Sequence, residues 1–384
     1  MSHLSYMEKL LDGAEIEWKE LGNSISFQRG KRLVKSQLEA SGEYAVFQNS
    51  MTPLGYYHES NVGAKSAFVI CAGAAGEIGF SDDSFWAADD VYYAEQSEIL
   101  NSKYLYHFLL TQKCKIASQV RRASIPRLSK SAIEKLIVPI PCPNNPEKSL
   151  AIQAEIVRIL DTFTELTAEL TAELTAELNA RKKQYNYYSN QLFSFEEGEI
   201  DWECLGNLAE NLDSKRKPIT SGLREPGDIP YYGASGIVDY VKDYIFDEDL
   251  LLVSEDGANL LARNTPIAFS ISGKTWVNNH AHVLKFKTYA ERRFIEFYLN
   301  SIDLAPYISG AAQPKLNKKN LNSIRIPNPS PKEKERIVAL LDKFDTLTSS
   351  IKEGLPHEIE LRQKQYEYYR DLLFSFTNQE KMTV

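Results

Sequence analysis

The chain repeats itself. Ile156-Val157-Arg158-Ile159-Leu160-Asp161-Thr162-Phe163 returns as Ile337-Val338-Ala339-Leu340-Leu341-Asp342-Lys343-Phe344, 181 residues later. The same register carries Arg181…Gln184-Tyr185-Asn186-Tyr187-Tyr188 onto Arg362…Gln365-Tyr366-Glu367-Tyr368-Tyr369, and Phe193-Ser194-Phe195 onto Phe374-Ser375-Phe376. A repeat of this period means one structural unit used twice. The likeness extends outward. Glu17–Asn23 matches Asp201–Asn207, Ile125-Pro126-Arg127-Leu128 matches Gln313-Pro314-Lys315-Leu316, and Val138–Pro141 answers Ile326–Pro329. Tyr6–Gly13 resembles the end of the first connector leading into Gly198. The chain therefore reads as block 1–150, connector 151–197, block 198–331, connector 332–378 and a tail 379–384.

Periodicity assigns the connectors. Ile152, Ile156, Ile159, Phe163, Leu166 and Leu170 step by 4, 3, 4, 3 and 4 residues, a heptad-like apolar stripe on a helix. Ile337, Leu340, Phe344, Leu347 and Ile351 repeat it. The stripe nominates Phe163, Leu166, Leu170, Leu174, Phe344, Leu347 and Ile351 for pairing the two helices. A helix of about 45 residues would span ~68 Å. Gly354-Leu355-Pro356 should kink or break the second one. The blocks mix short β-like runs (Ala67–Cys71, Leu250–Ser254, Ile267–Ser272, His282–Phe286) with short helices (Ser102–Thr111, Glu291–Asn300), which gives an α+β or α/β class.

Within the first connector, Thr167-Ala168-Glu169-Leu170 occurs three times in tandem. Each unit advances a helix by ~6 Å and turns it about 400°, so successive leucines drift only about 40°. The tract is either simple helix lengthened by slippage or a spacer adjustable in one-turn steps.

The net charge of −8 hides a segregation, because 151–197 alone carries 4 Lys+Arg against 8 Asp+Glu while the blocks are near neutral. Near-neutral blocks still present basic faces where charges cluster. Lys113, Lys115, Arg121, Arg122, Arg127, Lys130 and Lys135 share their stretch with one acid, Glu134. Lys315, Lys318, Lys319 and Arg325 fall at the matching place, and Arg29, Lys31, Arg32, Lys35 face Lys215, Arg216, Lys217, Arg224. Clusters matched across a duplication fit phosphate neutralisation on duplex DNA. The DNA candidates are Arg29, Lys31, Arg32, Arg121, Arg122 and Arg127, then Lys215, Arg216, Lys217, Lys274, Lys315 and Lys318.

Other chemistry is thin. Gly73–Gly79 lacks the spacing of a nucleotide loop and reads as a turn between strands. His280 and His282 have no third ligand in sequence and read as structural. Tyr56-Tyr57 and Tyr231-Tyr232 read as strand residues. Four scattered cysteines suit a reducing, cytoplasmic setting. No apolar run is long enough to span a membrane. No catalytic motif and no metal site is evident.

Taken together, these residues resemble the specificity subunits of type I restriction–modification enzymes. The likeness rests on the repeated Ile-Val-x-Ile/Leu-Leu-Asp-x-Phe and Gln-Tyr-x-Tyr-Tyr ends, on Tyr231–Ile237 and Trp276–His282, and, for the IC subfamily, on the Thr-Ala-Glu-Leu tract. The resemblance implies two target-recognition domains on two long antiparallel coiled-coil helices, with pseudo-two-fold symmetry. It implies that each domain reads half of a split, asymmetric DNA site and that repeat number sets the gap. It also implies two methyltransferase subunits and motor–nuclease subunits as partners, which hold S-adenosylmethionine, ATP and Mg, leaving this chain non-catalytic and cofactor-free. A coiled-coil scaffold that never meets DNA is the alternative.

Overall fold

Two fully buried apolar strands, Ser66–Ile70 and Leu250–Ser254, sit inside two sheets of like construction. In a computed structural model of the chain, residues 10–376 are described except 12, 40, 196, 197, 199, 264, 311, 312 and 350–353. The first sheet runs Phe27–Arg29, Val91–Ala94, Ser66–Ile70, Ile78–Ser81, all antiparallel. The second runs Glu210–Asn211, Ala281–Lys285, Leu250–Ser254, Ala268–Ile271. Each has a companion sheet with one parallel pairing: Tyr44–Phe47 on Trp86–Ala87, and Pro226–Gly233 on Lys274–Val277. A short antiparallel ribbon follows in each, Ile16–Glu20 with Ile137–Pro141 and Asp201–Cys204 with Arg325–Asn328. The parallel pairs are local exceptions in an antiparallel plan, so the class is α+β.

Five helices organise what surrounds the sheets: α1 (Ser102–Thr111), α2 (Pro146–Leu192), α3 (Tyr289–Ser301), α4 (Pro331–Ser349) and α5 (Leu355–Ser375). Both connectors start on a capped proline. Asn145 Oδ1 accepts the Lys148 N–H at 3.0 Å ahead of Pro146, and Ser330 Oγ accepts the Glu333 N–H at 3.4 Å ahead of Pro331. Proline suits this first position because its missing N–H has no partner to lose there. The 47 residues of α2 span ~70 Å. The second connector is two helices, with Pro356 in the first turn of α5.

The chain forms two compact units, one from 1–173 with 359–384, the other from 174–358. Helix α2 thus belongs to both, and the last turn of α5 closes the first unit. Leu373, Phe374 and Phe376 are buried in the first core. Phe374 packs on Tyr104 and Phe108 of α1, and Phe376 meets Trp18 edge-on. In the second unit Phe193, at the matching register, packs on Phe294 and Tyr298 of α3.

This arrangement explains the repeated motifs. Phe163 stacks on Tyr369 at 5.7 Å in the first unit, and Phe344 packs on Tyr188 at 5.9 Å in the second. The 181-residue offset maps one pair onto the other, so the start of each connector meets the end of the other. Asp161 holds Lys103 of α1 at 2.9 Å, and Asp342 holds Arg293 of α3 at 2.8 Å. The polar residue inside each apolar motif is the clamp between long helix and block.

The helix stripe needs one amendment. Leu166 is 54% exposed, unlike half-buried Leu170, Leu174 and Leu347. A four-residue repeat drifts around a 3.6-residue turn, so its leucines cannot all stay on one narrow seam. Ile351, the Tyr6 end of the N-terminal likeness and the tail 379–384 lie outside the described residues.

Candidate nucleic-acid interface

Part of the second basic cluster of each unit sits on the same small hairpin, Arg121, Arg122 and Arg127 in the first and Lys315 in the second. In the first, Arg121 and Arg127 exchange backbone bonds of 2.9 and 3.2 Å, the Leu128 N–H reaches Cys71 O at 2.9 Å, and the Gly73 N–H reaches Pro126 O at 3.2 Å. In the second, Ser309 and Lys315 exchange bonds of 2.9 and 2.8 Å, Leu316 reaches Glu255 O at 2.8 Å, and Gly257 reaches Pro314 O at 3.2 Å. Gly73 and Gly257 both have positive φ, 80° and 104°, a conformation glycine adopts without strain. The hairpins are one design, hung from the exit of the central strand.

The first basic cluster is likewise fixed by backbone. The Trp86 indole N–H donates to Lys31 O at 3.0 Å, and the Trp276 indole N–H donates to Lys217 O at 2.6 Å. The Lys31 N–H bonds Ala87 O at 2.9 Å, and the Lys217 N–H bonds Val277 O at 3.3 Å. A buried or half-buried tryptophan seeks a partner for its N–H. Here that partner is the carbonyl of a basic residue, which leaves the lysine side chain out of the bond.

Arg29, Lys31, Arg32, Arg121, Arg122 and Arg127 are all exposed. Arg29 Nε donates to Asp89 O at 2.6 Å. Among the described residues no carboxylate pairs with any of these six, whereas Lys113 and Lys130 hold Glu77 and Glu134. Lys215, Lys217, Lys274, Lys315 and Lys318 are exposed too. Lys274 lies over the Tyr244 ring at 4.8 Å, and Lys318 opens a short helix capped by Asn317.

Arg216 differs. It is half-buried and already engaged, at 2.6 Å to Glu255, 2.8 Å to Ala281 O and 3.5 Å to Asp213. Its guanidinium braces the loop that carries Lys215 and Lys217. Lys315 reaches the same Glu255 at 3.1 Å, so the two basic segments of the second unit converge on one carboxylate. Burial works against ionising Glu255, but the hydrogen bond from Arg216, nearby His282 and Lys315 hold its pKa below the usual value. Asp213 is also lowered, burial being outweighed chiefly by His282. In the first unit the segments converge on Cys71. Burial pushes its thiol pKa up despite flanking Arg29 and Arg127, so it stays neutral.

The two histidines are occupied by protein. His282 Nδ1 meets Asp213 at 2.6 Å and its Nε2 meets Leu316 O at 2.7 Å, while His280 meets Asp256 at 2.9 Å. Gly73–Glu77 lies in the turn between paired strands Ser66–Ile70 and Ile78–Ser81, and Gly79 already sits in the second strand. Tyr231 and Tyr232 are strand residues, but the matching strand of the first unit offers Val46 and Phe47. Tyr56 and Tyr57 belong to the next strand of that hairpin.

Sequence reasoning missed Glu255, Asp213 and the clamps Asp161 and Asp342. The clamps carried a readable signal, an acid kept at one register inside a duplicated apolar motif. Glu255 carried none, because its counterpart is Cys71.

The description "type I restriction modification DNA specificity domain" matches residues 14–180 and again 199–361. The EcoR124I/EcoR124II type I restriction enzyme specificity subunit of Escherichia coli is 38% identical over 418 residues, covering 100% of both chains. The EcoprrI specificity subunit of Escherichia coli is 34% identical over 385 residues, covering 92% of this chain and 93% of that one. The crystal structure of a type I restriction–modification S subunit from M. genitalium shares the fold at 19% identity, with TM-score 0.50 over 94% of this chain and 97% of its own. A structure from a study of assembly and conformational transition of the type I R-M system gives TM-score 0.60 at 14% identity over 94% and 97%.

Proposed function

Because the chain belongs to the family of type I restriction–modification DNA specificity subunits, we propose that each of its two units reads one half of a split, asymmetric DNA site while the long helices set the gap. A subunit of this kind supplies specificity and is not itself the catalyst. Methylation of adenine from S-adenosylmethionine, and ATP- and Mg-dependent cleavage, fall to two methyltransferase subunits and to motor–nuclease subunits docked on this chain.

The observation that carries the reading is the paired hairpin. The hairpin at the exit of each central strand is held by the same set of backbone bonds and carries Arg121, Arg122 and Arg127 in the first unit and Lys315 in the second. Duplex DNA draws such groups by counterion release, and base edges are then read by neighbouring side chains. Arg29, Lys31, Arg32, Arg121, Arg122 and Arg127 make this surface in the first unit; Lys215, Lys217, Lys274, Lys315 and Lys318 make it in the second. Arg216 acts as a brace. On the helices, Phe163, Leu170, Leu174, Phe344 and Leu347 serve pairing.

Arg121→Ala with Arg122→Ala tests it. The full chain assembled with its methyltransferase subunits should bind its duplex more weakly. The log–log salt slope should fall by about 2, close to 0.9 for each phosphate no longer neutralised. Unchanged binding at several salt concentrations would overturn the assignment.

A further inference from the structure

The matched hairpins differ at the point where the two basic segments meet. Cys71 and Glu255 occupy the same backbone position. The Cys71 N–H bonds Asp90 O at 2.7 Å and the Glu255 N–H bonds His280 O at 2.9 Å, while their carbonyls take Leu128 and Leu316. Their side chains do opposite things. Both carboxylate oxygens of Glu255 are in use, Oε2 on Arg216 at 2.6 Å and Oε1 on Lys315 at 3.1 Å. Cys71 offers no charge, and the Arg29 and Arg127 that flank it pair with no carboxylate among the described residues.

We propose that the two units grip DNA unequally, with Glu255 acting as a positioning residue that locks the second unit's basic loops together and withholds the charge of Arg216 and Lys315 from phosphate, while the first unit, with Cys71 there, supplies the more salt-sensitive grip. This rests on the reading of both basic surfaces as DNA-facing. A cation already held by a carboxylate gathers little counterion release when phosphate arrives, because one anion merely replaces another. An unpaired arginine delivers the full effect, about 0.9 in the log–log slope per phosphate. The second unit gains rigidity instead: its two loops, far apart in sequence, are fixed relative to each other before DNA arrives. Preorganisation of this kind favours discrimination over raw attraction.

The experiment exchanges the lock. Binding of the mapped duplex by the full chain with its methyltransferase subunits is measured between about 50 and 200 mM salt for the parent, Glu255→Gln, Cys71→Glu and the Arg121→Ala/Arg122→Ala pair. Glu255→Gln should steepen the slope by about 1, through the release of Lys315, which is roughly 4-fold more loss of affinity over that range. It should also blunt methylation preference at the second half-site alone. Cys71→Glu should flatten the slope by a similar amount. If neither variant moves the slope while Arg121→Ala/Arg122→Ala does, the lock is wrong and the DNA surface stands. If none of the three moves it, the reading of the surface fails as well. Should Glu255→Gln fail to assemble, Cys71→Glu decides: a slope equal to the parent's overturns the proposal.

Discussion

Removing one Thr-Ala-Glu-Leu unit, residues 171–174, is expected to shorten the gap in the recognised DNA by one or two base pairs and leave both half-site sequences unchanged. Four residues are ~6 Å of α2, against a base-pair rise of 3.4 Å, so the step is about 1.8 base pairs. The deletion is mild for the protein. The tract lies within the continuous helix Pro146–Leu192, every unit has the same composition, and the seam residues Phe163 and Tyr188 keep their partners in their own units. Held to the parental gap, one half-site would be misregistered. Two mismatched pairs at the low end of ~1–3 kcal/mol each would already reduce occupancy roughly 30-fold. Sequencing of methylated genomic DNA from cells carrying each version checks this. A deletion variant that kept the parental gap, or changed a half-site sequence, would remove the spacer role from α2.

Phe374→Ala should unfold the first unit well before the second. Phe374 is 5% exposed between Tyr104 and Phe108, some 270 residues from either in sequence. Truncating a buried phenylalanine costs about 3–5 kcal/mol, a large part of the ~5–15 kcal/mol that holds an ordinary domain together. Hydrogen exchange on the full chain should show early loss of protection in Ser66–Ile70 and α1, with Leu250–Ser254 and α3 unchanged. Phe193→Ala, at the matching register, should invert the pattern. Equal loss in both units, or none, would contradict the closure of the first core by the last turn of α5.

Much of this architecture is legible because the chain states it twice. The duplication shows the two like sheets and the long helices that join them. The run Leu250–Ser254 is readable to the residue, because five successive apolar or small positions bury together as one strand. The closure of the first unit by α5 is not legible. Phe374 looks the same in sequence whether it packs on the block before it or on one far upstream. Only contacts between distant residues decide that. Arg216 groups with its basic neighbours in sequence for the same reason, since its partners Glu255 and Ala281 lie far along the chain. The hydrogen bonds of the Trp86 and Trp276 indoles to basic-residue carbonyls are backbone geometry, which residue types do not encode.

Placing this chain with its methyltransferase subunits in a host that lacks such systems, and mapping adenine methylation across the genome, tests whether two units read two halves of one site. A single new motif of two defined halves around a fixed gap is the predicted result, with one half altered by changes in 1–150 and the other by changes in 198–331. A verified complex that leaves no new motif, or one continuous motif governed by a single unit, would contradict it.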